Sequence, residues 1–297
     1  MKILCATDLL PESDAAVERA VIIARQLRAQ CYLVHIVGSV QDERTAHTAL
    51  VQIGTRLGCS MEGDGIAVSV LVQVGNTATQ LIGVVRQISP DLVVLGPRHR
   101  RFWYDRFSEP LAQKILSVRQ CPVLIVKHVP TETYRDILLA LDLSPTAGEI
   151  IRTTESIVGA SGAKTSVVHA FEPDYGPLPY IPKALESVGA ANSPEKANAA
   201  RAVRHVLREN GSGLIDCNLI LSVAFPAEAV LGTIECLRPE LLVMGTGGYG
   251  RFRRALLGST ASRVLEAAPC DVLVAPEGFT RQIGGRSSAA PQISAQR

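Results

Sequence analysis

The chain contains one pattern twice, and this repeat restricts it to folds in which a single unit is built two times over. Ile3-Leu4-Cys5-Ala6-Thr7-Asp8-Leu9 returns as Ile137-Leu138-Leu139-Ala140-Leu141-Asp142-Leu143, which sets Asp8 and Asp142 134 positions apart. Tyr32-Leu33-Val34-His35 returns at the same offset as Ser166-Val167-Val168-His169. Farther along, Leu92-Val93-Val94-Leu95-Gly96 is answered by Leu241-Leu242-Val243-Met244-Gly245, and Cys121-Pro122-Val123-Leu124 by Cys270-Asp271-Val272-Leu273, now at an offset of 149. The second copy therefore carries 15 more residues. They belong to the stretch 173–195, where the run from Pro173 to Pro182 holds too many prolines for a regular element and reads as a surface loop.

Each copy predicts an α/β unit. Short Val/Ile/Leu runs alternate with longer amphipathic segments, as in a parallel sheet covered by helices on both faces. In the first copy the expected strands are Lys2 to Ala6, Cys31 to Ile36, Val68 to Val74, Leu92 to Gly96 and Val123 to Lys127. Between the first two, Ser13 to Arg28 predicts a helix capped by Ser13, with Ala16, Val17, Ala20, Ile23, Ala24 and Leu27 on one face. Right-handed crossovers then give two tandem doubly wound domains of five parallel strands each, a Rossmann-like arrangement. The expected boundaries are 1–130 and 131–277, joined by the polar connector Val129 to Thr133, with a Gly/Ser/Ala/Gln-rich tail at 278–297.

Charge excludes some functions. A formal charge of +2, from 30 basic and 28 acidic side chains, supplies no broad field for nucleic acid or an anionic membrane. The apolar run after Met1-Lys2 is too short for a signal peptide, and no later run reaches membrane-spanning length, so a cytoplasmic protein is expected. The 7 cysteines are scattered without a C-x-x-C pair, which argues for buried thiols rather than disulfides or zinc ligands.

In a doubly wound sheet, ligands sit beyond the carboxyl ends of the strands where the winding reverses, after strands one and four of each copy. After the fourth strand of the second copy comes Gly245-Thr246-Gly247-Gly248-Tyr249-Gly250, then Arg251, Arg253, Arg254 and finally Gly258-Ser259-Thr260 at the start of a predicted helix. Glycines there let the backbone approach a ligand, and the amides and dipole of a helix N-terminus suit a phosphate. The spacing G-x-x-G-x(9)-G-S, met at Gly245, Gly248, Gly258 and Ser259, resembles the ATP-binding motif of the universal stress protein family. Asp8 and Asp142 after strand one, His35 and His169 ending strand two, and the C-P-V-L last strand at Cys121 resemble that family too.

The resemblance covers about residues 1 to 277, twice over, and implies a fold akin to that of the adenine nucleotide alpha hydrolases. It also implies a stress-response role and an ATP, ADP or AMP site in the second copy, with Mg²⁺. Carried over, Ala140, Leu141, Asp142 and Ala170 line the base pocket, Met244 and Gly245 the ribose region, and Gly248, Gly258, Ser259 and Thr260 the phosphates. Asp142 is left between a bond to the base or ribose and a place beside the Mg²⁺. The first copy departs from the motif: it reads Gly96-Pro97-Arg98-His99 and, nine residues on, Glu109-Pro110, so a negative charge stands at the phosphate position. The family's habit of pairing through last strands implies that Val123 to Lys127 meets Val272 to Ala275 inside one chain as a pseudo-dimer; a homodimer of chains stays open.

Other readings stay beside this one. Gly245 to Gly250 also fits the dinucleotide fingerprint G-x-G-x-x-G, but it follows a fourth strand rather than a first, and Glu266 falls in a predicted helix. His35 and His169 read as structural histidines, and the Arg98 to Tyr104 cluster as a lid or contact surface rather than a nucleic-acid site. The loop offers no evident base for activating water, and no Walker lysine, G-x-S-x-G serine or metal-ligand spacing is present. The expected function is nucleotide-dependent regulation. A slow ATPase or phosphotransfer enzyme in the second cleft, and a scaffold that binds no nucleotide, are the alternatives.

Overall fold

Ten short, mostly apolar runs become ten strands, because the middle of a strand covered on both faces of a parallel sheet leaves little room for a charge. The computed structural model describes residues 1–58, 66–96, 111–118, 120–158, 162–171, 194–210, 214, 217–247, 257–277 and 279. In the first copy the strands are β1 (Lys2–Ala6), β2 (Gln30–Val37), β3 (Val68–Val74), β4 (Leu92–Leu95) and β5 (Val123–Ile125). In the second they are β6 (Asp136–Ala140), β7 (Lys164–Ala170), β8 (Asn218–Ser222), β9 (Leu241–Gly245) and β10 (Asp271–Ala275). The described helices are α1 (Pro11–Leu27), α2 (Glu43–Arg56), α3 (Thr77–Ile88), α4 (Leu111–Ser117), α5 (Ala147–Val158), α6 (Pro194–Glu209), α7 (Pro226–Leu237) and α8 (Ser259–Ala267). None of the described helices is long and apolar enough to cross a membrane.

All strands join one sheet in the order β3-β2-β1-β4-β5-β10-β9-β6-β7-β8. Each half is parallel throughout, with the winding reversed between β1 and β4 and between β6 and β9, as doubly wound units require. The halves meet through β5 and β10, which run antiparallel with Leu124 opposite Leu273. The pseudo-dimer pairing is therefore present within the single chain. One apolar layer on each face of the sheet spans both copies, so Leu124 and Leu273 share a cluster with Ile3 and Ile137.

Ser13 does not cap α1. The helix begins at Pro11, whose missing N–H costs nothing at a first helical position, and the Ser13 hydroxyl instead donates to the Asp8 carboxylate at 2.6 Å. The apolar face lies as expected, with Ala16, Val17, Ala20, Ile23 and Ala24 buried and Leu27 partly so. Pro173 to Pro182 and nearly all of the tail 278–297 lie outside the described residues.

A buried polar knot fastens the copies where β5 leaves the sheet. Asp271, 1% exposed, opens β10. Its Oδ1 accepts from the backbone amides of Lys127 at 2.8 Å and His128 at 3.3 Å. Its Oδ2 accepts from the Tyr134 hydroxyl at 2.7 Å and faces Arg19 Nε at 3.6 Å. The Arg19 guanidinium stacks 3.8 Å above the Tyr134 ring and donates to the Glu132 carbonyl at 2.7 Å. Lys127 Nζ reaches the carbonyls of Leu265 and Ala268 at the end of α8, where a cation suits the helix dipole.

The cysteines predict a response to alkali. Burial pushes the Cys121 thiol up to about 12 and the Cys270 thiol to about 11, from an ordinary value of 9, and raises Cys5 well above it. A raised folded-state value gives stability that is complete below the unfolded value and is lost as pH climbs toward the folded one. At pH 10 each such thiol costs the folded state about 1.4 kcal/mol relative to pH 8. Burial lowers Lys127, which acts in the opposite direction, so the thiol contribution is read by difference. Urea denaturation at pH 8 and pH 10 is expected to show a drop smaller by about that amount in Cys121→Ala than in wild type. An identical drop in both proteins contradicts the assignment.

Candidate functional site

The ends of strands one and two are clipped together in each copy, and the histidine is the clip. In the second copy the Leu141 amide donates to the Val168 carbonyl at 3.0 Å, and His169 Nδ1 donates to the Leu141 carbonyl at 2.8 Å. The first copy repeats this with Thr7 to Val34 at 3.0 Å and His35 Nδ1 to the Thr7 carbonyl at 2.8 Å. A carbonyl only accepts, so Nδ1 carries the proton in both rings and Nε2 is the acceptor of the neutral ring. The repeated histidine fixes the turn that presents the aspartate.

Asp142 is the second residue beyond β6. Its Oδ1 accepts from the Ser144 amide at 3.3 Å and hydroxyl at 2.6 Å, and Ser144 in turn meets the Thr146 hydroxyl at 3.0 Å. Among the described residues no partner reaches its second oxygen. The register sets Ala140 beside Val168 of β7, while Leu139 lies beside Val243 of β9. Ala140, Leu141, Asp142, Ala170 and Gly245 therefore gather at one carboxyl edge of the sheet. Met244 is 4% exposed and sits in the core, so only its backbone is available to a ligand.

The glycine loop is closed at its base. Thr246 is held by its amide to the Ala275 carbonyl at 3.1 Å and by its hydroxyl to the Glu277 amide at 3.2 Å. The Thr246 carbonyl accepts the Gly258 amide at 2.8 Å, which brings the two ends of the loop together and places the first turn of α8 beside the end of β9. Gly258 is the N-cap of α8, and its own N–H is spent on this closure. The amides left without helical partners at such a terminus are those of Ser259, Thr260 and Ala261. Ala261 was not among the residues expected from sequence; its signal was only its place in the first turn.

Two glycines have steric reasons to be glycine. A Cβ at Gly245 would lie 2.7 Å from Ile150 Cδ1 of α5, and one at Gly258 would lie 3.2 Å from the Thr246 carbonyl oxygen. At Gly247 no atom of the described residues stands within 4 Å. Gly248 and the arginines 251, 253 and 254 lie outside the described residues, as does the first-copy stretch 97–110 with Glu109 and Pro110. Glu266 lies in α8, not at a strand end, which removes the acidic partner of a dinucleotide fingerprint. Among the described residues no three His, Cys, Asp or Glu side chains converge as a metal site.

A wide cavity among the described residues is lined mainly by the first copy rather than the second. It measures about 1120 Å³ and opens at the switch point of the first, over Thr7, Asp8, His35 and Gly96. Beside Gly245 to Gly247 in the second copy there is a crevice too narrow for a water molecule, lined by Thr146, Ile150 and Glu277 among others. Sequence favoured the second copy because it scored a loop, whereas the first-copy cavity is assembled from separate segments.

The family model described as "Universal stress protein family" matches residues 1–127 and again 133–276. A Thermus aquaticus protein described as "Universal stress protein in QAH/OAS sulfhydrylase 3'region" is 35% identical over 144 residues, which is 48% of this chain and 98% of that protein. Among solved structures, a universal stress protein from Archaeoglobus fulgidus superposes with a TM-score of 0.68 at 18% identity, over 93% of this chain and 96% of the other. A protein of Pseudomonas aeruginosa described as a putative universal stress protein gives 0.68 at 22% identity, over 93% of each. These two likenesses carry the shared fold and no more.

Proposed function

The chain belongs to the universal stress protein family, and from that premise we propose that its second copy binds ATP and serves as a nucleotide-dependent regulator of a stress response in the cytoplasm. The division we propose is 1–130 and 131–277, with 278–297 as a tail. The observation that carries the reading is the closure of the motif by the Gly258 amide on the Thr246 carbonyl at 2.8 Å. It sets the amides of Ser259, Thr260 and Ala261, which have no partner within the helix, beside the strand edge where Ala140, Leu141, Asp142, Ala170 and Gly245 gather. Amides and a helix dipole hold phosphates without a lysine.

Asp142 has one oxygen held by Ser144 and one without a described partner, which fits a single carboxylate beside phosphate-bound Mg²⁺. The ion would supply charge neutralisation at the phosphates. Holding that ion would make the same carboxylate a weaker base toward water. Turnover is therefore expected to fall well below the roughly 1–100 per second of kinases.

Isothermal titration of ATP, ADP and AMP into the whole chain tests this reading. One nucleotide per chain is expected, lost in Gly258→Asp. Absence of binding to wild type, or two equivalent sites, contradicts it. Turnover in the kinase range would replace regulation with phosphotransfer.

A further inference from the structure

The two copies treat each other's last helices unequally. At the offset of 149 that relates the late landmarks, Lys127 answers Pro276 and Pro122 answers Asp271. Lys127 stands two residues past β5 and reaches across to the second copy, where its Nζ donates to the carbonyls of Leu265, at 2.9 Å, and Ala268. His128 Nε2 donates to the Pro269 carbonyl, in the turn that follows α8. Proline has no side-chain donor, so Pro276 cannot return the bond to α4. Asp271, which accepts the Lys127 and His128 amides, likewise has only Pro122 at the matching place. The strap runs one way, from the copy that departs from the motif to the helix that opens the intact one.

The strap's target is a short helix with a narrow buried face. α8 has 9 residues, of which Ala261 and Val264 are buried. A helix of that length is marginal alone, and its last carbonyls need partners from outside it. The Lys127 ammonium gives charge-assisted bonds to two carbonyls at that end and sets a cation where the helix dipole is negative. On the outer side Arg263 meets Glu228 of α7 at 3.8 Å, but both side chains are largely exposed, and such pairs hold little. The strap is in turn fixed to the first copy. Asp271 holds the Lys127 amide at 2.8 Å, and the Val126 amide donates to the Leu95 carbonyl at 2.9 Å, at the end of β4.

We infer that Lys127 of the first copy is a positioning residue for the phosphate site of the second: it fixes α8 from its C-terminal end and so pre-sets the first-turn amides of Ser259, Thr260 and Ala261 for an anion. The inference rests on the ATP reading of the second copy. Lys127 acts through the helix, because its Nζ is committed to carbonyls roughly 10 Å along the axis from those amides. Amides already held in place bind a phosphate more tightly than amides that must first be ordered.

Isothermal titration of ATP and of adenosine into the whole chain, wild type and Lys127→Met, tests this at a temperature where melts show both proteins folded. Methionine keeps most of the stem and omits the ammonium. In Lys127→Met, ATP is expected to bind at least about fivefold more weakly, and adenosine, which has no phosphate, to change by less than about twofold. A lysine that serves stability alone would lower the melting temperature and leave the ATP affinity of the folded protein as it was; that result overturns the inference. Equal weakening of ATP and adenosine overturns it too, since the defect then lies outside the phosphate amides. If Lys127→Met does not fold, Lys127→Gln, which keeps a neutral donor, decides by the same thresholds; if neither folds, the lysine is a requirement of folding and the inference fails. No ATP binding to wild type removes the second-copy reading and this inference together, whereas binding that Lys127→Met fully retains removes this one alone.

Discussion

Gly258→Asp is expected to lower ATP affinity at least about a hundredfold, equivalent to roughly 2.7 kcal/mol, in a protein that remains folded. Two effects combine. The new Cβ would lie 3.2 Å from the Thr246 carbonyl oxygen, a backbone atom that would have to give by a few tenths of an ångström. The carboxylate would then stand at the N-terminus of α8, which favours a negative side chain in the free protein and thereby competes with phosphate. Gly258→Ala separates the parts, because it keeps the steric contact and omits the charge. Gly247→Ala is the control: no atom of the described residues lies within 4 Å of its Cβ, so binding should change little. Equal losses from Gly247→Ala and Gly258→Asp would show that the closure of the loop is irrelevant to the ligand.

Asp271→Ala is expected to remove about 3–5 kcal/mol of stability, the usual cost of breaking a buried ion pair on one side. The substitution leaves Arg19 Nε, already without a hydrogen-bond partner among the described residues, with no opposing charge. It also strips the Tyr134 hydroxyl and the Lys127 and His128 amides of their acceptor. For a domain whose total stability is of order 5–15 kcal/mol, this is a large fraction. Urea denaturation of wild type, Asp271→Ala, Arg19→Met and the double variant would close a cycle. The double variant should be less destabilised than the sum of the singles, since removing both charges leaves neither unpaired. A loss below about 1 kcal/mol from Asp271→Ala would place the knot among the weak surface pairs.

Much of the fold was legible because a central parallel strand is written almost wholly in Val, Ile and Leu. Lys2–Ala6 and Val68–Val74 match their sequence reading residue for residue, and the β5 to β10 pairing follows the resemblance. Ser13 misled because a serine near a helix start suggests a cap, whereas the deciding bond reaches back to Asp8, which sequence had marked for another reason. Asp271 was hidden differently. It stands at the head of an apolar run, and only the folded chain brings Arg19 and Tyr134 to it. Arg19 carried a faint signal, since it lies three residues after Ala16 on the buried face of α1. Sequence spoke about loops and could not speak about the first-copy cavity, whose walls are brought together by the pairing of the two halves.

That pairing changes what dilution can do. A strand edge that would otherwise wait for a second molecule finds its complement covalently attached, so meeting it is a unimolecular event. Melting temperature should then be the same at low and high protein concentration, unlike that of an assembly held together by mass action. Of the ten strands described, β3 and β8 alone end the sheet, and they lie at its far extremities. Any second chain that joins by extending the sheet must dock at those outer rims, lengthening a ribbon whose centre is already sealed.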